Sequence, residues 1–212
     1  MKTAYIGKNS KVYQLLKNAI FRTGDIEVSY RDDFELLVKN DIVQAVVFSW
    51  SKKLEDNIAL FVRLNRSGIK KVYFLSTSAT CFESCHRYGY VKNKLIVEQF
   101  VVSNFDLFYI VKAGLIENTH DLGKIHGSVP YTSLDGLACS INEWKKLSSI
   151  EDSKEIKLFK VDCLTSQSLK LLLLYRIYKL SSYLPFFISR PLDIVFKLLG
   201  YNNYGYLFRQ FN

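Results

Sequence analysis

Residues 42–48, IVQAVVF, are apolar at six of seven positions. A strand with one wet face alternates apolar and polar residues; a run without alternation suits a strand covered on both faces, as in a parallel sheet between helix layers. Shorter runs of the same kind stand at Thr3 to Ile6, Ile26 to Tyr30, Lys71 to Leu75 and Leu107 to Val111. Between them the apolar residues take helical spacing. Val12, Leu15, Leu16, Ile20 and Phe21 precede Gly24, a short helix fits Phe34 to Lys39, and Leu54 to Arg66 precede Gly68. A further helix runs to about Val102, and each glycine is a helix stop. Strands alternating with helices predict an α/β fold, a doubly wound parallel sheet with helices on both faces. In such sheets ligands sit outside the carboxyl ends of the strands. Gly7 and Ser76 to Ser78 follow strand ends and are expected to share one crevice.

Composition narrows the partners. Half of the 212 residues are apolar, which argues against a disordered chain. The N-terminus lacks the apolar centre of a signal peptide, so a cytoplasmic protein with reduced cysteines is expected. Cys81, Cys85 and His86 cluster, but Cys139 and Cys163 are isolated and His120 and His126 have no partner pattern, so no metal site is expected. The formal charge is +9. From Lys154 to Asn212 nine Lys or Arg face three Asp or Glu, an excess of six. That favours anionic ligands or acidic membrane surfaces. No nucleic-acid motif accompanies the charge, and nucleic acid is not expected as a partner.

The chemistry concentrates in Ser76 to Glu98, STSATCFESCHRYGYVKNKLIVE, with two overlapping Tyr-x-x-x-Lys pairs, Tyr88 with Lys92 and Tyr90 with Lys94. Residues four apart share a helix face. A phenol with a pKa of about 10 becomes a usable base when an ammonium stabilises the phenolate, and a serine hydroxyl can hold the reacting oxygen. The alternative is an exposed aromatic and basic helix face in a chain with fourteen tyrosines.

KKVYFLSTSAT followed by YVKNKLIVEQF resembles the extended short-chain dehydrogenase/reductases, the NAD-dependent epimerase/dehydratase family typified by UDP-glucose 4-epimerase. FDLFYIVKAGLI, VPYTSLDGLACSI and KEIKLFKVDCLTSQSLKLL are similar to later segments of that family, in order. Glu98, four residues after Lys94, selects Tyr90 and Lys94 as the matching pair, and Ser78 falls at the catalytic hydroxyl. The resemblance implies a Rossmann-like NAD(P)-binding domain over residues 1–150 and a small C-terminal helical substrate-binding or membrane-proximal region over 151–212. It implies Tyr90 as general base or acid, Lys94 as the residue that lowers its pKa and holds the cofactor ribose, and Ser78 as the binder of the reacting oxygen. Gly7, Asn9 and Ser10 would form the cofactor turn, and Arg190 and Lys197 would meet the diphosphate of a nucleotide sugar. The activity implied is that of a sugar-nucleotide epimerase, reductase or dehydratase in surface polysaccharide synthesis.

Two features depart from or refine the pattern. The family's Gly-x-x-Gly-x-x-Gly turn is here GKNSKVY, with Ser10 and Tyr13 at the second and third glycines. A tyrosine at the third demands different helix packing, which leaves a non-catalytic dinucleotide sensor or scaffold as the rival function. Arg31, after the second strand, stands where the cofactor ribose is read and favours NADP over NAD. From Leu171 to Ile188 the chain is almost long enough to span a bilayer, but Arg176, Lys179 and Pro185 interrupt it. A buried substrate-domain helix is expected there, with a helix lying on acidic lipid as the alternative.

Overall fold

In the computed structural model, residues 1–86, 88–119 and 127–164 are described, with individual positions between 169 and 195. Strands β1 (Thr3–Ile6), β2 (Ile26–Val28), β3 (Gln44–Val47), β4 (Lys71–Thr77), β5 (Leu107–Ala113) and β8 (Lys154–Leu158) form one sheet in the order β2-β1-β3-β4-β5-β8. Every pairing in it is parallel. Helices alternate with the strands: α1 (Lys11–Ile20), α2 (Glu35–Lys39), α3 (Leu54–Arg66), α4 (Gly89–Asn104) and α5 (Leu134–Lys146). A smaller sheet joins β6 (Leu115–Ile116), β7 (Gly127–Thr132) and β9 (Lys160–Leu164). β8 lies beyond residue 150 and completes the main sheet.

The two-residue period of the strands divides the core. Ala4, Ile6, Ala45, Val47, Val72, Phe74 and Ile110 pack with Leu60, Phe61 and Leu64 of α3 and Val97 and Val101 of α4. Tyr5, Val46, Tyr73, Tyr109 and Val111 pack on the other face with Tyr13, Leu16 and Ile20 of α1 and Leu137, Ile141 and Trp144 of α5. Helices therefore cover both faces, as the unalternated strand runs require.

Local chemistry sets the helix ends. Asn57 accepts from the Ser51 amide at 2.9 Å and donates to the Ser51 and Lys53 carbonyls, holding the start of α3. Ser133 caps α5 by accepting from the Gly136 amide at 3.1 Å. The second strand is shorter than its apolar run suggests, stopping at Val28, so Arg31 sits in a turn. Ser78–Cys81 and Glu83–Cys85 form short 3-10 turns between β4 and α4.

The order β2-β1-β3 reverses the direction of winding between β1 and β3. A crevice opens at such a point, outside the carboxyl ends of the strands. The candidate site lies there.

Candidate active site

The turn after β1 is built on Gly7, whose φ is +102°. A Cβ on it would lie 2.8 Å from the Ser49 backbone nitrogen, so only glycine lets β1 and the end of β3 approach this closely. Ser10 closes the turn by donating its amide to the Gly7 carbonyl at 2.8 Å, and α1 begins at the next residue. Tyr13 takes the space that a third glycine would leave open. Its ring lies 5.4 Å from Tyr5 and 5.5 Å from Phe48, and its hydroxyl donates to Glu27, which pairs with Lys17 at 2.7 Å. Helix and sheet are thus spaced by an aromatic ring rather than in glycine contact.

Across the crevice, β4 delivers Ser76, Thr77 and Ser78. Together with Ser10, Lys11, Trp50, Tyr88, Tyr90 and Lys94 they line a cavity of about 720 Å³. The first turn of α4 presents Tyr90 and, one turn later, Lys94. Tyr90 is 44% exposed as a residue, while its hydroxyl lies in a desolvated setting beside the Thr77 side chain. Burial of that oxygen pushes its pKa up to about 12, against the pull of Thr77. Lys94 is 4% exposed; it donates to the Leu75 carbonyl at 3.1 Å and lies 3.9 Å from the centre of the Trp50 ring. Burial lowers its pKa to about 7, with Glu98 raising it and Lys112 lowering it further. Near neutral pH, Tyr90 therefore holds its proton and can offer it as a donor. It becomes a base only if a cation moves close enough to stabilise the phenolate.

Behind this wall runs a buried polar chain. Ser76 donates to Glu98, Lys112 pairs with the other oxygen of Glu98, and Lys112 also faces Glu155 at 3.4 Å. Lys112 and Glu98 are almost fully buried, while the Glu155 side chain is about half exposed. Ser76 is therefore engaged by Glu98, and Ser78 is the buried serine one step further out that also lines the cavity.

A pH dependence follows from the buried lysines. The folded pKa of Lys94 is about 7 and that of Lys71, which donates to the Lys145 and Leu147 carbonyls, is about 8. Both fall below the unfolded value of about 10.4. Between these limits the unfolded chain binds more protons, so stability rises with pH, by on the order of a few kcal/mol between pH 7 and pH 10. Denaturant titrations across that range are expected to show the rise, and Lys94→Met should flatten much of it.

The structure brings Ser10, Ser78, Tyr90 and Lys94 to one cavity, while Lys92 of the overlapping pair is exposed. Gly7, Asn9 and Arg31 are not among the lining residues. Arg31 is exposed and folds onto its neighbour, with its Nε donating to the Tyr30 hydroxyl at 2.8 Å. Arg190 and Lys197 lie outside the described residues. His86 shares a hydrogen bond with the Thr80 carbonyl at 3.0 Å, and Cys85 is buried. Sequence reasoning missed Trp50 and Lys112. Each carried a signal: a large aromatic just past a buried strand, and a lone cation inside LFYIVKA.

No protein-family model and no curated protein matches the chain in sequence. Solved structures do match in shape. An NAD-dependent NDP-hexosamine 5,6-dehydratase involved in tunicamycin biosynthesis superposes with a TM-score of 0.62 at 10% identity, over 86% of this chain and 82% of that one. For dTDP-4-dehydrorhamnose reductase from Bacillus anthracis, in complex with NADP, the TM-score is 0.59 at 12% identity, over 76% of each chain. UDP-glucose 4-epimerase from Thermus thermophilus, in complex with NAD, gives 0.56 at 10% identity, over 77% and 79%. The likeness is one of fold. It extends over the parallel sheet and its helices, the frame that carries the cavity.

Proposed function

We propose that this chain is an NAD(P)-dependent oxidoreductase or epimerase of the extended short-chain dehydrogenase/reductase type, acting on a nucleotide sugar. One observation carries the reading: Ser78, Tyr90 and Lys94 converge on a cavity at the strand ends that also takes in the start of α1. That cavity suits a dinucleotide at its phosphate end, where Gly7 brings the turn against Ser49 and the first turn of α1 faces inward. The dinucleotide, when bound, supplies the hydride donor or acceptor that side chains lack. Ser78 then holds the reacting oxygen, and Tyr90 gives it a proton in the reducing direction and takes one in the oxidising direction. Lys94 stabilises the phenolate left on Tyr90. The structural neighbours are named for NDP-, dTDP- and UDP-linked sugars, which supports a nucleotide-sugar substrate.

Tyr13 at the third-glycine position and the enclosure of Lys94 favour a second reading, a dinucleotide sensor or scaffold without turnover. The two readings separate on the cofactor and on Tyr90. The catalytic reading expects binding together with turnover that Tyr90 controls; the sensor expects binding alone.

Arg31 supports NADP over NAD, because a guanidinium free to leave Tyr30 can pair with a 2′-phosphate. Calorimetry is expected to give tighter binding of NADP, with the preference reduced about tenfold or more in Arg31→Ala. The same affinity for both dinucleotides would remove the role assigned to Arg31.

The C-terminal region adds a contact with anionic lipid to this reading. Among the described positions there, Leu169, Leu180 and Phe187 are exposed, each by more than two-thirds, in a stretch with excess positive charge. No helix among the described residues is long and apolar enough to cross a membrane. Flotation with anionic vesicles is expected at low salt and should weaken as salt rises. Absence of binding at low salt would return the segment to the substrate-domain core.

A further inference from the structure

Lys94 is enclosed by two aromatic faces. Its ammonium lies 3.9 Å from the centre of the Trp50 ring and 4.6 Å from that of Phe74. Of these two rings only Trp50 lines the cavity, so the indole is the cover on the side from which a ligand would come. Trp50 also meets Tyr90 edge-on at 5.8 Å between ring centres and stacks on Phe74 at 6.4 Å. Its backbone follows Ser49, which is pressed against Gly7, so the main chain there is fixed by the turn. The indole itself is only partly buried. One side chain therefore touches both members of the acid/base pair.

We propose that Trp50 is a specificity-determining residue of this cavity: its indole competes with the incoming ligand for Lys94, and only a ligand whose hydroxyl groups can replace the aromatic face gains the ammonium. Such a ligand must displace a desolvated cation–π contact, of the size that changes affinity about tenfold. While the indole stays in place, the Lys94 ammonium is covered on its cavity side and Tyr90 keeps its proton. When it swings out, the ammonium becomes available to the ligand and to the phenol. Trp50 thus ties ligand entry to the charge that Tyr90 needs to work as a base. The ligand-binding arm of this inference rests on the dinucleotide reading; the covering of Lys94 does not.

Two measurements keep these separate. Trace acetylation with acetic anhydride, read by peptide mass spectrometry, compares Lys94 with Lys92, an exposed lysine on the same helix. Lys94 is expected to react at least about tenfold more slowly than Lys92 in the wild type and to approach it in Trp50→Ala, with Trp50→Phe between the two; melting curves establish that each variant is folded. If Trp50→Ala is not folded, Trp50→Phe carries the comparison. Equal rates in the wild type, or a Lys94 still protected in a folded Trp50→Ala, would overturn the proposal. Calorimetric titration with NADP is then expected to show about tenfold tighter binding to Trp50→Ala than to the wild type. Equal affinity would overturn the competition while leaving the dinucleotide reading intact. No heat from any of the proteins would contradict the dinucleotide reading and, with it, the competition; acetylation alone would then decide whether Trp50 covers Lys94.

Discussion

Tyr90→Phe is expected to lower turnover by about 10²–10⁴-fold, the range that a positioned proton donor contributes. The melting temperature should move by no more than about 2 °C, because the substitution deletes one hydroxyl at a partly exposed residue. Its partner is not orphaned, since the Thr77 hydroxyl also accepts from the Ala79 amide at 3.3 Å. Tyr88→Phe removes the same atom from the same cavity, yet its lysine four residues on is solvent-exposed, so the effect on turnover should be mild. Loss of activity in Tyr88→Phe with full activity in Tyr90→Phe would assign the proton to the other register.

The placing of Lys94 and Glu98 on one helix face was legible in sequence because helical spacing is local. Tyr90, Lys94 and Glu98 stand four apart, and the structure places Lys94 and Glu98 on the inner face of α4. The main sheet was legible for a similar reason: Ile42 to Phe48 and its companions lack the alternation of a half-exposed strand. Other features depend on contacts distant in sequence. Trp50 meets Lys94 only because β3 pairs with β4, which brings the segment after β3 beside the start of α4. Lys112 reads as a polar residue near a strand end until α4 lays Glu98 against it. The smaller sheet was obscured by its own chemistry. β6 has two residues, and β7 carries Pro130, which argues against a strand when read alone. Gly114 makes the junction between the sheets feasible: a Cβ on it would fall 2.3 Å from the Pro130 carbonyl oxygen.

The second large effect concerns the buried chain behind the serine turn. Lys112→Met leaves Glu98 as a charge inside the protein with the Ser76 hydroxyl as its remaining donor among these groups. Removing one member of a buried pair costs about 3–5 kcal/mol, because the other keeps its desolvation penalty without its attraction. Denaturant unfolding of Lys112→Met is expected to show a loss of that size. The double variant Glu98→Leu with Lys112→Met removes both charges and should recover most of it. An unchanged midpoint in Lys112→Met would mean that water or another cation already compensates Glu98. Surface pairs such as Lys39 with Glu35, both about 70% exposed, should by contrast be worth less than about 1 kcal/mol.

One cavity is expected to receive both a dinucleotide and a nucleotide sugar around Ser78, Tyr90 and Lys94. Melting curves with NAD or NADP, alone and then with a panel of UDP- and dTDP-sugars, test it most directly. A ligand at a hundred times its dissociation constant stabilises the folded state by about 2.7 kcal/mol, which is several degrees for a chain of this size. A rise is expected with at least one dinucleotide, a further rise with one class of nucleotide sugar, and loss of the second rise when the sugar is replaced by free UDP or dTDP plus the unlinked monosaccharide. Melting curves unmoved by millimolar NAD and NADP, with or without any sugar nucleotide, would contradict it.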